Sequence, residues 1–180
     1  AVERNRWLAA AALGYEPDLP LDYGIAAAPL AAPWLPVTPY CVLLTASSRA
    51  DKLWPEADWL QLAAALNARG LACVLPGGSV EERDRAARLA SGMATAIAAP
   101  PMNIAELTQL LAGGRIVIGV DTGLSHIAAA LGRLTLCLFA GSRPELTGVY
   151  AGATAINLGA AGAPPTAAEA IAVIGELLGT

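Results

Sequence analysis

At 180 residues, 56% of them hydrophobic and only 14% charged, the chain has the length of one ordinary domain and too much apolar content to stay disordered. Its formal net charge of −4, with 11 basic residues scattered rather than striped, excludes a nucleic-acid surface, because phosphate backbones demand a concentrated Lys/Arg face. A mononucleotide remains within its means. No apolar stretch reaches the ~18–20 uncharged residues of a spanning helix, and the most apolar loop, 24–37, is cut by Pro29, Pro33 and Pro36, so any membrane contact is expected to be peripheral.

The chain starts on a charged, helix-like segment with no signal-peptide core and no initiator Met, which predicts a piece of a longer protein. Residues 1–13 read as a helix with Val2, Trp7, Leu8 and an Ala run on one side and Glu3, Arg4 and Arg6 elsewhere; Gly14 ends it. From Glu16 to Pro39 there are six prolines, which lack the backbone N–H that a helix or a central strand needs, so this stretch reads as a linker or a wrapping arm. Beyond Pro39, short apolar runs at 41–45, 71–75, 95–98, 116–120, 135–139 and 153–158 alternate with amphipathic segments at 56–69, 80–90, 104–112, 124–131 and 166–178. Strict alternation of strand and helix, with strands apolar on both faces, predicts a doubly wound α/β domain built on a parallel sheet. Cys41, Cys73 and Cys137 are odd in number, sit inside the apolar runs and lack C-x-x-C spacing, which predicts neither a disulfide framework nor a zinc site and suits a reducing cytoplasm.

Ligands of such sheets bind at the carboxyl ends of the strands, so the loops after Thr45, Leu75, Ala98, Val120 and Phe139 are where chemistry belongs. The densest segment is Val120-Asp-Thr-Gly-Leu-Ser-His-Ile-Ala-Ala-Ala-Leu131. Here a strand ends in a polar turn that opens into a short helix, placing unpaired N–H groups and the positive end of the helix dipole at the functional edge. Gly123 would let the backbone approach an oxygen, Thr122 and Ser125 would add hydroxyl donors, and His126, the single histidine, would sit on the first turn. An ordinary N-cap at Asp121 or Thr122, with His126 a satisfied helix residue, is the competing reading. An Asp-Thr-Gly also marks aspartic proteases, but those need a second such triplet in an all-β fold, and here a helix follows and no second copy exists.

The second segment, Thr45-Ala-Ser-Ser-Arg-Ala-Asp-Lys-Leu-Trp-Pro-Glu56, offers Ser47, Ser48 and Lys52 to a diphosphate, with Trp54 and Trp59 packing the next helix to the sheet. A solvated loop explains all but Lys52. The third, Leu75-Pro-Gly-Gly-Ser-Val-Glu-Glu-Arg83, puts Glu81 and Glu82 in the first turn of a helix, where carboxylates favourably meet the dipole; an acidic residue at a strand end also holds ribose hydroxyls. The chain has no G-x-G-x-x-G, P-loop, H-E-x-x-H or G-x-S-x-G motif, so hydride transfer, P-loop chemistry, zinc proteolysis and serine hydrolysis lose support.

Through these same stretches, from Ala1-Val-Glu-Arg-Asn-Arg onward, the chain resembles glycosyltransferase family 9, and within it the heptosyltransferase I branch, since the heptosyltransferase II branch usually carries Asp-Ser-Gly in place of Asp-Thr-Gly. The resemblance implies the GT-B architecture of two Rossmann-like domains around a cleft. In that frame, residues 1–39 form a connecting helix and Pro-rich interdomain arm, residues 40–180 form the C-terminal nucleotide-sugar domain, and the N-terminal acceptor domain is absent from this chain. It further implies that Ser47, Ser48, Thr122 and Gly123 contact the diphosphate, and that Lys52 neutralises it or touches the sugar. Glu82 would hold the ribose, Met102 would lie by the adenine and His126 near the diphosphate. Asp121, repelled by phosphate, is assigned to heptose hydroxyls. Ser47 and Ser48 stand where the branch often has threonines, which keeps the hydroxyls.

The implied reaction is inverting transfer of heptose from ADP-heptose to Kdo of lipid A, in the cytoplasm at the inner face of the inner membrane. The departing ADP would be stabilised by Lys52 and the helix beginning at Gly123. The general base belongs to the N-terminal domain of the family, and no metal or other cofactor is expected if Lys52 and the helix dipole carry the phosphate charge. Another GT-B transferase, a nucleotide-sugar epimerase domain and a non-catalytic nucleotide-binding module are the alternatives.

Overall fold

The structure, a computed structural model, describes residues 2–18, 21–150 and 152–179. The predicted positions Ala1, Leu19, Pro20, Ala151 and Thr180 lie outside the described residues. Six parallel strands form one sheet, β1 (Tyr40–Leu44), β2 (Ala72–Leu75), β3 (Ala96–Ala98), β4 (Ile116–Val120), β5 (Thr135–Phe139) and β6 (Ala155–Gly159), in the order β3-β2-β1-β4-β5-β6. The helices are α1 (Val2–Leu13), α2 (Glu56–Ala68), α3 (Val80–Ser91), α4 (Ile104–Gly113), α5 (Gly123–Ala130), α6 (Pro144–Thr147) and α7 (Ala167–Leu178). The doubly wound prediction therefore holds, with element ends moved by one or two residues. The last strand starts at Ala155 because a single 3₁₀ turn, Gly152–Thr154, precedes it. The 3₁₀ turn Ala50–Lys52 and the four-residue α6 had no signal in the periodicity, being shorter than the window that reveals it.

Alternate residues of the strands feed two apolar layers, as a pleat requires. On one face Cys41, Leu43, Cys73, Leu75, Ile116 and Ile118 meet Trp59, Leu62 and Leu66 of α2, Leu89 of α3 and Ile174 of α7. On the other, Val42, Leu44, Val74 and Val117 meet Leu110 and Leu111 of α4 and Ala128 of α5. Every residue of β1, β2, β4 and β5 is buried, which is why these strands read as continuous apolar runs. The three cysteines are free and buried, with Cys41 and Cys73 side by side across β1 and β2, their sulfurs 3.6 Å apart.

The Pro-rich segment wraps the second layer. Leu30, Trp34 and Leu35 pack on it, and the Leu30 amide donates to the Gln109 carbonyl at 3.1 Å. Gly14, at φ 73°, closes α1 with its amide on the Ala10 carbonyl, as predicted. The predicted apolar side of α1 does not join this core: Ala10 is buried, but Trp7 and Leu8 are more than 60% exposed.

The paired tryptophans show how the turn after β1 is seated. Trp54 and Trp59 are both buried and meet edge to face at 5.0 Å, and the Trp54 indole donates to the Pro165 carbonyl at 2.7 Å, whereas the buried Trp59 indole N–H has no partner. Trp54→Phe removes a hydrogen bond and strands an acceptor, and Trp59→Phe removes neither. The first substitution should therefore destabilise the protein by about 1–2 kcal/mol more than the second, measured by urea denaturation.

Candidate functional site

The sheet order reverses direction between β1 and β4, and in a doubly wound sheet the crevice outside the carboxyl ends of the strands at that point is where a ligand sits. A cleft of about 540 Å³ opens there, within the size range of small-molecule sites. The loop after β1 contributes Ser47, Ser48 and Lys52, the turn after β2 contributes Gly77, Gly78 and Glu82, and the turn after β4 contributes Asp121, Thr122, Gly123 and His126. Ser47, Ser48, Lys52, Glu82, Asp121, Thr122, Gly123 and His126 thus face one cavity, while Ser125 and Glu81 do not line it.

Its charge is organised by one ion pair. Lys52 Nζ donates to Asp121 Oδ2 at 2.8 Å, and the same oxygen receives the hydroxyls of Ser142 at 2.6 Å and Thr147 at 3.2 Å. Burial on its own pushes the Asp121 carboxyl up, but the hydrogen bonds from Lys52 and Ser142, the Lys52 charge and the Thr147 hydroxyl outweigh it and hold the group below its ordinary value. Cys137, just beneath, is pushed up to about 12 by burial and by the Asp121 charge, so it is a neutral, unreactive thiol at physiological pH. Lys52 and Asp121 were assigned to separate parts of a ligand; here they hold each other.

The first turn of α5 starts differently from that of three other helices. α3, α4 and α7 begin with capping boxes built by Ser79 and Glu82, Asn103 and Glu106, and Thr166 and Glu169, which satisfy their first amides. α5 begins at Thr122 with no side-chain cap, as α2 does at Pro55; its Ser125 amide turns back to the Thr122 carbonyl at 3.1 Å, and the Gly123 and Leu124 amides lie at the helix end beyond the reach of an intrahelical acceptor. The capping reading of Thr122 therefore holds for position but not for the hydroxyl. A methyl group on Gly123 would meet nothing within 4 Å; nothing in the chain itself demands glycine there, and what its absence of a side chain provides is room at the cleft wall.

Some assignments change. Ser125 is no ligand donor: it is fully buried and its hydroxyl donates to the Val120 carbonyl at 2.9 Å. Glu82 lines the cleft but already accepts from the Gly78 and Ser79 amides, so a ribose would have to share its carboxylate with that cap. Glu81 accepts from the Ser79 hydroxyl. Met102 sits in the loop after β3, half-buried against the second apolar layer; it is not part of the cleft wall, where Leu107 of α4 and Leu124 of α5 supply apolar surface instead. Ser142 and Thr147 went unnoticed because no motif marks them; the one available signal was their place after β5, at the same edge of the sheet. A second cavity of about 520 Å³ adjoins the first, sharing His126 and Thr147 with it.

The strand order and a switch-point cleft with an uncapped helix start and a lone lysine define a Rossmann-like domain of the kind found in nucleotide-sugar transferases. Residues 1–170 match the family description "Glycosyltransferase family 9 (heptosyltransferase)", and the chain belongs to that family. It is 44% identical over 160 residues to lipopolysaccharide heptosyltransferase 1 of Pseudomonas aeruginosa, covering 88% of this chain and 44% of that protein, and 43% identical over 151 residues to its Salmonella typhimurium counterpart, covering 83% and 48%. The chain thus spans about half the length of these relatives. The solved structure of E. coli heptosyltransferase WaaC with ADP superposes with a TM-score of 0.83 at 37% identity, over 98% of this chain and 56% of that one. The same enzyme with ADP-2-deoxy-2-fluoro heptose gives 0.79 at 36%, over 97% and 55%. Among the described residues no helix is long and apolar enough to cross a membrane.

The carboxyl of Asp121 titrates lower in the folded chain than in the unfolded one. Its ionised form therefore contributes stability that is complete above the ordinary carboxylate value of ~4 and is lost as pH falls through the lower folded value. Asp121→Asn should accordingly cost more stability at pH 7 than at pH 3, as read by denaturant midpoints at the two pH values.

Proposed function

We propose that this chain is the donor-binding half of an inverting heptosyltransferase, in which residues 40–180 hold ADP-heptose and residues 1–39 connect to an acceptor domain. The observation that carries this reading is the cleft itself: a lysine and an uncapped helix start face it across the switch point of the sheet, which is the equipment a diphosphate needs. Its heptosyltransferase relatives, and the ADP and ADP-2-deoxy-2-fluoro heptose of the two WaaC structures, support the same donor.

In this reading the α5 amides, Thr122 and the hydroxyls of Ser47 and Ser48 receive the phosphates, and Gly123 gives the backbone its close approach. Lys52 meets the charge that develops on ADP as the bond to the anomeric carbon breaks. Asp121 keeps Oδ2 for its protein donors and offers its other oxygen to heptose hydroxyls. Glu82 reaches the ribose, Met102 borders the adenine from the loop after β3, and His126 lies at the junction of the two cavities, near the diphosphate. The acceptor hydroxyl, on Kdo of lipid A, must be deprotonated by a base, which we place in the acceptor domain. We place the reaction at the cytoplasmic face of the inner membrane, with peripheral contact to it.

Calorimetry should show ADP binding in preference to UDP. Lys52→Ala should weaken ADP by about 1.5–3 kcal/mol, the scale of a hydrogen bond to a charged group, and leave adenosine nearly unchanged; equal losses would remove Lys52 from the phosphates. Incubated with ADP-heptose and Kdo-lipid A, the chain alone should yield no heptosylated product by mass spectrometry, because positioning both substrates supplies up to ~7–11 kcal/mol of the rate enhancement and only one is held. Turnover would place the base within these residues.

A further inference from the structure

The network around Asp121 raises a question of charge. Among the described residues Lys52 is the one Lys or Arg lining the cleft, and a diphosphate entering it must draw on that ammonium. Asp121 is only 6% exposed. A carboxylate so buried that gives up its cation becomes an uncompensated charge, unless other donors remain. Arg49, the other cation that feels the Asp121 charge, is already paired with Asp51 on the surface. What remains on Oδ2 is the pair of hydroxyls from the segment after β5.

We propose that Ser142 and Thr147 are positioning residues for diphosphate capture: their hydroxyls keep the Asp121 carboxylate satisfied while Lys52 turns toward the phosphates. This rests on the reading of the cleft as a donor site and extends it to a residue, Ser142, that does not line the cleft at all. Gly141 lets the two loops approach closely: any side chain there would overlap the backbone of Asp51 and push the Ser142 segment away from the Lys52 turn. Asp121 is thus a counter-charge that can be left behind, and the hydroxyls set how readily Lys52 is released.

The test is calorimetric titration of the chain with ADP and with adenosine, for the wild type, Ser142→Ala, Ser142→Thr, Thr147→Val, Asp121→Asn and the Ser142→Ala/Asp121→Asn double variant. Ser142→Ala should weaken ADP about tenfold, the scale of one hydrogen bond to a charged group, with adenosine unchanged. Ser142→Thr should restore most of the loss, and Thr147→Val, whose bond is longer, should show a smaller loss of the same kind. In the Asp121→Asn background the Ser142→Ala effect should vanish, because no buried charge is left to stabilise; a merely structural role would persist there. ADP affinity within twofold of wild type in folded Ser142→Ala and Thr147→Val proteins, or a loss undiminished by Asp121→Asn, overturns the inference while leaving the donor site standing. A wild type that binds ADP no better than adenosine overturns the donor site, and the inference with it.

Discussion

The Lys52–Asp121 contact is the constraint on which the site depends, because it is where two halves of the sheet are tied together across the point at which their direction of winding reverses. Lys52 follows β1 and Asp121 follows β4, neighbours in the sheet but 69 residues apart in sequence. Without an ionic tie, the two loops would share only the floor provided by their strands, and that floor is itself tight: a Cβ on Gly119 would crowd Leu44 and the Ser125 hydroxyl. The pair does not stand as evidence of large stability, since removing two charges from water cancels much of their attraction. Its contribution is geometric, fixing the ammonium at a known place in a cleft that also offers the hydroxyls of Ser47, Ser48 and Thr122.

Why those amides are free follows from how the helices start. Ser79, Asn103 and Thr166 are each followed three residues later by Glu, and each forms a complete capping box. After Thr122 the third residue is Ser125, which cannot reach back as a carboxylate would and is instead turned inward to the Val120 carbonyl. The sequence difference between Ser-x-x-Glu and Thr-x-x-Ser is thus the difference between a helix start that is finished and one that waits for an acceptor from outside.

Much of this was legible beforehand, and for reasons that can be named. Strands buried on both faces leave unbroken apolar runs, so the parallel sheet and its order of elements could be read directly; the loops at its carboxyl edge followed from that topology, and Ser47, Ser48, Lys52, Glu82, Asp121, Thr122, Gly123 and His126 do line one cleft. What was not legible depends on contacts between loops. Ser142 and Thr147 lie in a stretch with no motif, and only the folded chain brings them to Asp121. The pairing of Lys52 with Asp121 was hidden for the same reason: the two lie 69 residues apart, and nothing in either motif marks the other as its partner. That Trp7 and Leu8 of α1 stay exposed was likewise not legible, because amphipathic periodicity shows that a helix has an apolar side without showing what covers it.

The Pro-rich segment and α1 are tied to the body of the domain. The Tyr23 hydroxyl donates to the Tyr150 carbonyl at 2.5 Å, and the Tyr150 hydroxyl donates to Glu3 at 2.9 Å, so the arm, α1 and the loop between β5 and β6 are joined by one hydrogen-bonded chain. That loop is anchored in turn by Asn157 of β6, whose amide both donates to and accepts from Val149. Val2 and Glu3 of α1 and Tyr150 line the second cavity, which meets the first at His126 and Thr147. α1, Tyr150 and the short helix that carries Thr147 thus border one cavity, and Thr147 in turn meets the carboxylate that holds Lys52. The hydroxyl that satisfies Asp121 thus belongs to a residue that lines both cavities, the one reached by α1 and the one that holds Lys52.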